Sequence, residues 1–409
     1  MKKLLSLFTA FSMAAIAIHG FTPARASAAS YTVGSYTLTY TVSGTTAAVT
    51  DCSGSGTSLE IPETIGSYTV TSVSSNAFAE LSGLTDVTIP DSVVSIGEYS
   101  FWNCAALTSV SIGSGTAEIG SYAFSACPRL ASISVSSSNS TYTSVSGMLY
   151  SKDETSLICY AGGNTAVLPE NTLTIGKAAF FGNTTLESVT LPSDLTSIGD
   201  YAFSGCFTLG KISIPISVTS IGKGCFMNCT SLTQAVLGAG LDEIPEECFS
   251  SCTALETLNI PTSIETIGDS AFYGCHKITG LYIPSTVLSL GEYSIGIRYN
   301  IRSGKNEPIS GFYISGDTGS AAEKYARSNG IDFLDFSSIP YGDTDGSGNV
   351  DAIDASMVLA EYARTATSGA SEFTFYQTTV SDFNGDSIID AVDASLILSY
   401  YAKNAVSGG

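Results

Sequence analysis

The stretch YGDTDGSGNVDAIDASMVLAEYA, Tyr341 to Ala363, packs Asp343, Asp345, Asp351 and Asp354 into one short loop ahead of an apolar run. Carboxylates this close repel one another unless a hard cation sits among them. The spacing sharpens that expectation. Asp343, Asp345, Ser347, Asn349, Asp351 and Asp354 fall at positions 1, 3, 5, 7, 9 and 12 of a twelve-residue loop, with Gly348 at position 6. On that template oxygen ligands wrap Ca2+, position 7 acting through its backbone carbonyl. The template recurs 39 residues on, with Asp382, Asn384, Asp386, Ile388, Asp390 and Asp393 in the same places. Oxygen donors without His or Cys favour Ca2+ over a transition metal. Two ions are therefore expected, one per loop. A pair of solvated acidic turns would not produce the same ligand spacing twice.

Each loop runs into an apolar-patterned helix, expected near Ala355 to Arg364 and Ala394 to Lys403. The segments DAIDASMVLAEYA and DAVDASLILSYYA nearly superimpose. The loops are EF-hand-like, yet position 12 is Asp and a helix follows each loop without a matching one before it. This duplicated form resembles a type I-like dockerin, the calcium-dependent module that docks exported proteins onto cohesins of a cellulosomal scaffoldin. The resemblance implies a small all-α module that binds a scaffoldin cohesin. It also implies that Ala352, Ile353, Ala391 and Val392, just ahead of each last ligand, choose the cohesin, with Arg364 and Lys403 assisting. Either half could then face the partner about a pseudo-twofold axis. Two residues depart from the pattern: Ser347 at position 5 of the first loop, and Ser387 where position 6 of the second favours glycine. The intervening TATSGASEFTFYQTTV reads as long and strand-like for the family's middle helix. Without metal so small a module should be poorly folded, because cation binding supplies folding free energy.

The rest of the chain is a repeat. LTDVTIPDSVVSIGEYSFWNC (Leu84 to Cys104) returns as LESVTLPSDLTSIGDYAFSGC (Leu186 to Cys206) and LETLNIPTSIETIGDSAFYGC (Leu255 to Cys275). Phe78, Phe101 and Phe124, then Phe180, Phe203, Phe226, Phe249 and Phe272, advance by 23 residues within each run. The step of 56 between the runs is one standard unit and a longer one of 33. Alternation in Leu-x-x-Val-x-Ile-Pro predicts a short strand with Val87 and Ile89 inward. Gly97, Gly120, Gly176, Gly199, Gly222, Gly268 and Gly291 mark a turn expected to need a permissive backbone. Units this short bury their apolar sides only by stacking, which predicts a repeat solenoid. The pattern resembles the BspA-like leucine-rich repeats of bacterial surface proteins. The expected organisation is a signal peptide over 1–28, a cap over 29–56, the solenoid over 57–297, a closing unit over 298–336, a linker over 337–341 and the dockerin over 342–405. A short helix is expected in the closing unit, near Ser320 to Ser328.

Ten cysteines would suggest disulfides in an exported chain, but Cys104 and Cys127, and Cys206, Cys229, Cys252 and Cys275, are each 23 apart. They fill one column of the solenoid and Cys225 and Cys248 a second, so buried thiols are expected rather than cross-links. Cys275-His276 offers a thiol beside a base, although Cys275 belongs to the structural column. Two outward rows, one from Asp86 to Thr257 and one from Thr88 to Tyr282, form a small, polar, nearly uncharged face. That face is either a solvated sheet or a surface for a protein or glycan.

Acidic residues outnumber basic ones by 37 to 16, for a formal charge of -21. Such a surface disfavours nucleic acid and anionic membrane as partners. Lys2 and Lys3, the apolar Leu4 to Ile18 and Ala26-Ser27-Ala28 read as an export signal rather than a membrane span. The expected protein is therefore secreted, non-catalytic and associated with the cell surface through a cellulosome scaffoldin. A hydrolase with its active site on the solenoid, or an adhesin or inhibitor, are the alternatives.

Overall fold

The structure is a computed structural model that describes residues 28–335, 341–345, 347, 349–368, 373, 375–383 and 388–407. All but the last residue of the leader expected over 1–28, and most of the linker expected over 337–341, lie outside the described residues.

Each 23-residue unit makes one coil with two strand segments. Asp86–Ile89, Ser109–Ile112 and Ser132–Val135 pair in parallel on one side of the coil. Tyr68–Val73, Ser95–Ile96 and Glu118–Ile119 pair in parallel on the other. Further along, Lys211–Ser213, Gln234–Val236 and Thr257–Leu258 continue the first side, and Thr174–Ile175, Ser197–Ile198 and Ser220–Ile221 the second. The register places like on like: Val87 pairs with Val110, and Val110 with Ile133. Val87 and Ile89 point inward and Asp86 and Thr88 outward, as alternation requires. In the regular coils from Ser95–Ile96 on, the second strand is only two residues long, too short to show a period in sequence.

Both ends are closed. Ala29–Val33, Tyr36–Ser43 and Thr46–Gly54 form an antiparallel meander that hands over in parallel to Tyr68–Val73. At the other end Ala321–Asn329 is helical, one residue on from expectation because Ser320 is its N-cap; Gly330 closes it in the left-handed conformation. The strands Gly280–Tyr282, Tyr313–Gly316 and Asp332–Asp335 make the last sheet. The 33-residue unit inserts the hairpin strands Tyr142–Val145, Met148–Ser151 and Ser156–Cys159, which rejoin the array at Thr174–Ile175. At this insertion the apolar core divides into two clusters.

The phenylalanines stack through the core. Ring centroids lie 4.9 Å apart for Phe78–Phe101, 4.5 Å for Phe180–Phe203 and 5.4 Å for Phe249–Phe272, with the planes nearly parallel. Tyr160 stacks on Phe180 at 4.7 Å and carries the second pile into the inserted unit. The backbone N–H groups of Phe78, Phe101, Phe180, Phe203, Phe226, Phe249 and Phe272 donate to the following coil, as from Phe203 to the Cys225 carbonyl at 2.8 Å.

Two expectations are refined. The recurring glycines are not there for positive φ. Instead a Cβ on Gly97 would lie 2.4 Å from the Ser75 nitrogen and one on Gly222 2.2 Å from that of Asp200, so close passage of the previous coil demands glycine. The left-handed residues flank each Phe at two positions before and after, as at Tyr99 and Asn103 around Phe101. The cysteines are free, as the column spacing predicts. Each thiol of the main column donates to the Phe carbonyl of the coil before, from Cys206 to Phe180 at 3.3 Å and from Cys252 to Phe226 at 3.1 Å. The column is thus a second ladder as well as a packing slot.

Phe203→Ala should cost about 3–5 kcal/mol, seen as a lower denaturation midpoint, because its neighbours are fixed by their own coils. The thiols of Cys206, Cys229, Cys252 and Cys275 should react with a thiol reagent only once the solenoid is unfolded; fast reaction in the native protein would contradict the ladder.

Candidate functional site

The first acidic loop draws three carboxylates together. Oxygens of Asp343, Asp345 and Asp354 lie within 4.8 Å of one another. Asp343 and Asp354 are 1% and 0% exposed, while Asp345 faces solvent. Backbone N–H groups hold them in place. Ser347 donates to Asp343 and Asp345 at 2.9 Å each, and Asp345 to Asp354 at 3.0 Å. Burial, with Asp345 adding like charge, holds the Asp354 carboxyl above the ordinary range despite its N–H donors. Asp345 is held below that range by its bonds from Ser347. Converging oxygens, two of the carboxylates buried, with no nitrogen or sulfur donor among them, fit a hard divalent cation.

Asp351 is placed differently. Its Oδ1 accepts the Ile353 N–H at 2.7 Å, and Asp354 Oδ2 accepts the Asp351 N–H at 2.7 Å. The two form a reciprocal cap on the helix Ala352–Ser368. The second loop repeats it: Val392 donates to Asp390 at 2.6 Å and Asp390 to Asp393 at 3.0 Å, on the helix Ala391–Ser407. Asp393, fully buried, also accepts the Phe383 N–H at 2.8 Å. Of the other second-loop positions, Asp382 is half-buried and Ile388 exposed; Asn384 and Asp386 lie outside the described residues, as do Ser387 and the first-loop Gly348. In the first loop the Ser347 hydroxyl lies 3.4 Å from the Asn349 carbonyl oxygen. The paired D-x-x-D ahead of each apolar run was a legible cap signal that the ligand template overshadowed.

These caps start the helices earlier than expected, at Ala352 and Ala391. Ala352, Ile353, Ala391 and Val392 therefore sit in first turns, and all are exposed, Ile353 at 58% and Val392 at 52%. Arg364 pairs with the buried Glu361 at 2.5 Å, and Lys403 is exposed on the second helix. The helices meet through Ala355, Val358, Ala394 and Ile397. The segment read as strand-like instead contains the helix Phe375–Ser381. Its β-branched residues are overruled by tertiary bonds: Gly342 donates to the Val380 carbonyl at 2.9 Å, and the Thr344 and Ser381 hydroxyls are 3.0 Å apart in a buried pair.

The solenoid offers no such convergence. Burial pushes the Cys275 thiol up to about 12, and it donates to the Phe249 carbonyl at 3.2 Å, while His276 lies at the surface. A protonated, engaged thiol is no nucleophile. On the outward rows Ser109 donates to Asp86 at 2.5 Å, and the Ser134 and Ser111 hydroxyls lie 3.1 Å apart. Among the described residues no helix is long and apolar enough to cross a membrane.

The pattern described as BspA type Leucine rich repeat region matches in six copies over residues 51–153 and 173–302, more than half of the chain. The chain belongs to the BspA-type leucine-rich-repeat family. Residues 341–402 match the Dockerin type I domain, so the C-terminal module is a dockerin. Type I dockerins bind calcium and dock onto cohesins. No curated protein matches the chain. Among solved structures, the chain is similar to a leucine-rich repeat protein from Eubacterium ventriosum, at 23% identity over 63% of this chain and 87% of that one, TM-score 0.45. It is also similar to the pneumococcal vaccine antigen PcpA, at 16% identity over 75% and 98%, TM-score 0.42. A third is a leucine rich cell surface protein from Faecalibacterium prausnitzii, at 22% identity over 69% and 97%, TM-score 0.33.

Asp354→Asn keeps an oxygen for the Asp351 N–H but removes a charge from the buried group. It should weaken calcium binding at the first loop at least about tenfold, ~1.4 kcal/mol, in a calorimetric titration. Asp351→Asn should weaken it less, because asparagine caps a helix as well as aspartate does.

Proposed function

We propose that this protein is a secreted, non-catalytic binding protein, held on a scaffoldin cohesin by its dockerin while the repeat face engages a protein or glycan. The supporting observation is the duplicated loop with its duplicated cap, Asp351 with Asp354 and Asp390 with Asp393. In this reading each loop takes one Ca2+. Asp343, Asp345, Ser347, Asn349, Asp351 and Asp354 surround the first ion, and Asp382, Asn384, Asp386, Ile388, Asp390 and Asp393 the second. Ca2+ offsets the repulsion among the carboxylates and fixes the two loops. The exposed first turns at Ala352-Ile353 and Ala391-Val392 then present matching apolar contacts to the cohesin, with Arg364 and Lys403 at their edges. Leucine-rich-repeat and dockerin modules are themselves non-catalytic, which favours a binding role over a hydrolase.

The double variant Asp343→Ala with Asp382→Ala should abolish cohesin binding in the presence of calcium while leaving the solenoid folded. Undiminished cohesin affinity would refute the calcium-dependent docking.

A further inference from the structure

The dockerin is built onto the end of the solenoid. Its helix Phe375–Ser381 packs against the solenoid strand Gly280–Tyr282. The phenols of Tyr282, on that strand, and Tyr341, two residues before Asp343, lie close enough to each other to interact. Both contacts lead back to the first acidic loop. Gly342 donates to Val380 at 2.9 Å, and Thr344, beside Asp343, meets Ser381 at 3.0 Å with both side chains fully buried. Gly342 has φ +93, and a Cβ there would stand 2.9 Å from Phe383 and Val350, so this junction tolerates only glycine. Ordering the first loop therefore fixes, through residues 341–344, the two elements that touch the solenoid.

We infer that the dockerin is a fixed extension of the solenoid, joined by the Tyr282–Tyr341 pair and the helix Phe375–Ser381, and that calcium in the first loop stabilises the solenoid's last coils. The inference rests on the calcium reading above. Linkage makes the coupling reciprocal: whatever stability the loaded loop lends to the joint, the joint returns as calcium affinity. The solenoid is then held in a defined orientation to any cohesin, and the pseudo-twofold of the dockerin offers two such orientations.

Hydrogen exchange on the full chain tests this, with calcium and again with chelator. Calcium should slow exchange in Ala352–Ser368 and Ala391–Ser407, and also in Gly280–Tyr282 and Tyr313–Gly316, by about tenfold or more. Tyr341→Ala should remove the slowing in the solenoid strands while the dockerin helices still respond. Protection confined to the dockerin helices would overturn the coupling and leave the calcium reading standing. If calcium protects neither part, the calcium reading itself fails. The joint is then judged by whether Tyr341→Ala speeds exchange at Gly280–Tyr282 in either buffer, and no change there overturns it.

Discussion

Among the described residues three aspartates, Asp343, Asp354 and Asp393, are buried in a module whose small apolar cluster centres on Ala355, Val358, Ala394 and Ile397, with Val350, Phe383 and Ile389 packed against it. Removing carboxylates from water is costly unless an opposite charge compensates them, and so small a core has little to offset that cost. Backbone N–H donors meet part of it, as at Asp354 and Asp393, but they leave the net charge where it was. A cation answers the remainder. Asp354 and Asp393 also cap the helices that carry Ile353 and Val392. One constraint therefore governs helix initiation, the order of the loops and the exposure of Ile353 and Val392 in the first turns.

The solenoid solves the opposite problem. It has no shortage of apolar surface, yet no single coil can bury its own share. Stacked Phe rings, thiols bonded to Phe carbonyls and glycines that let coils pass closely all repeat at 23 residues because each serves the contact with the next coil. Where the period breaks, at the inserted hairpin, the core divides as well. Stability along the array is accordingly local, and the ends depend on what covers them.

Much of this was legible because repetition displays its own constraints. The 23-residue step fixed the Phe and Cys columns, and the doubled ligand spacing marked the loops. What escaped were features without a period. The two-residue strands such as Ser95–Ile96 are too short for alternation to register. The role of Gly97 and its equivalents in close passage rather than in φ depends on the coil before them. The helix Phe375–Ser381 carries Thr and Val that argue for a strand, and bonds from Gly342 and Thr344 decide otherwise. The approach of Tyr341 to Tyr282 brings together residues far apart in sequence that no local pattern connects.

The most direct test of the account is titration of the full chain with scaffoldin cohesins, first with calcium and then with a chelator. The account predicts tight binding that disappears with the chelator and returns when calcium is restored. Binding that persists in chelator, or calcium uptake with no cohesin partner at all, would contradict it.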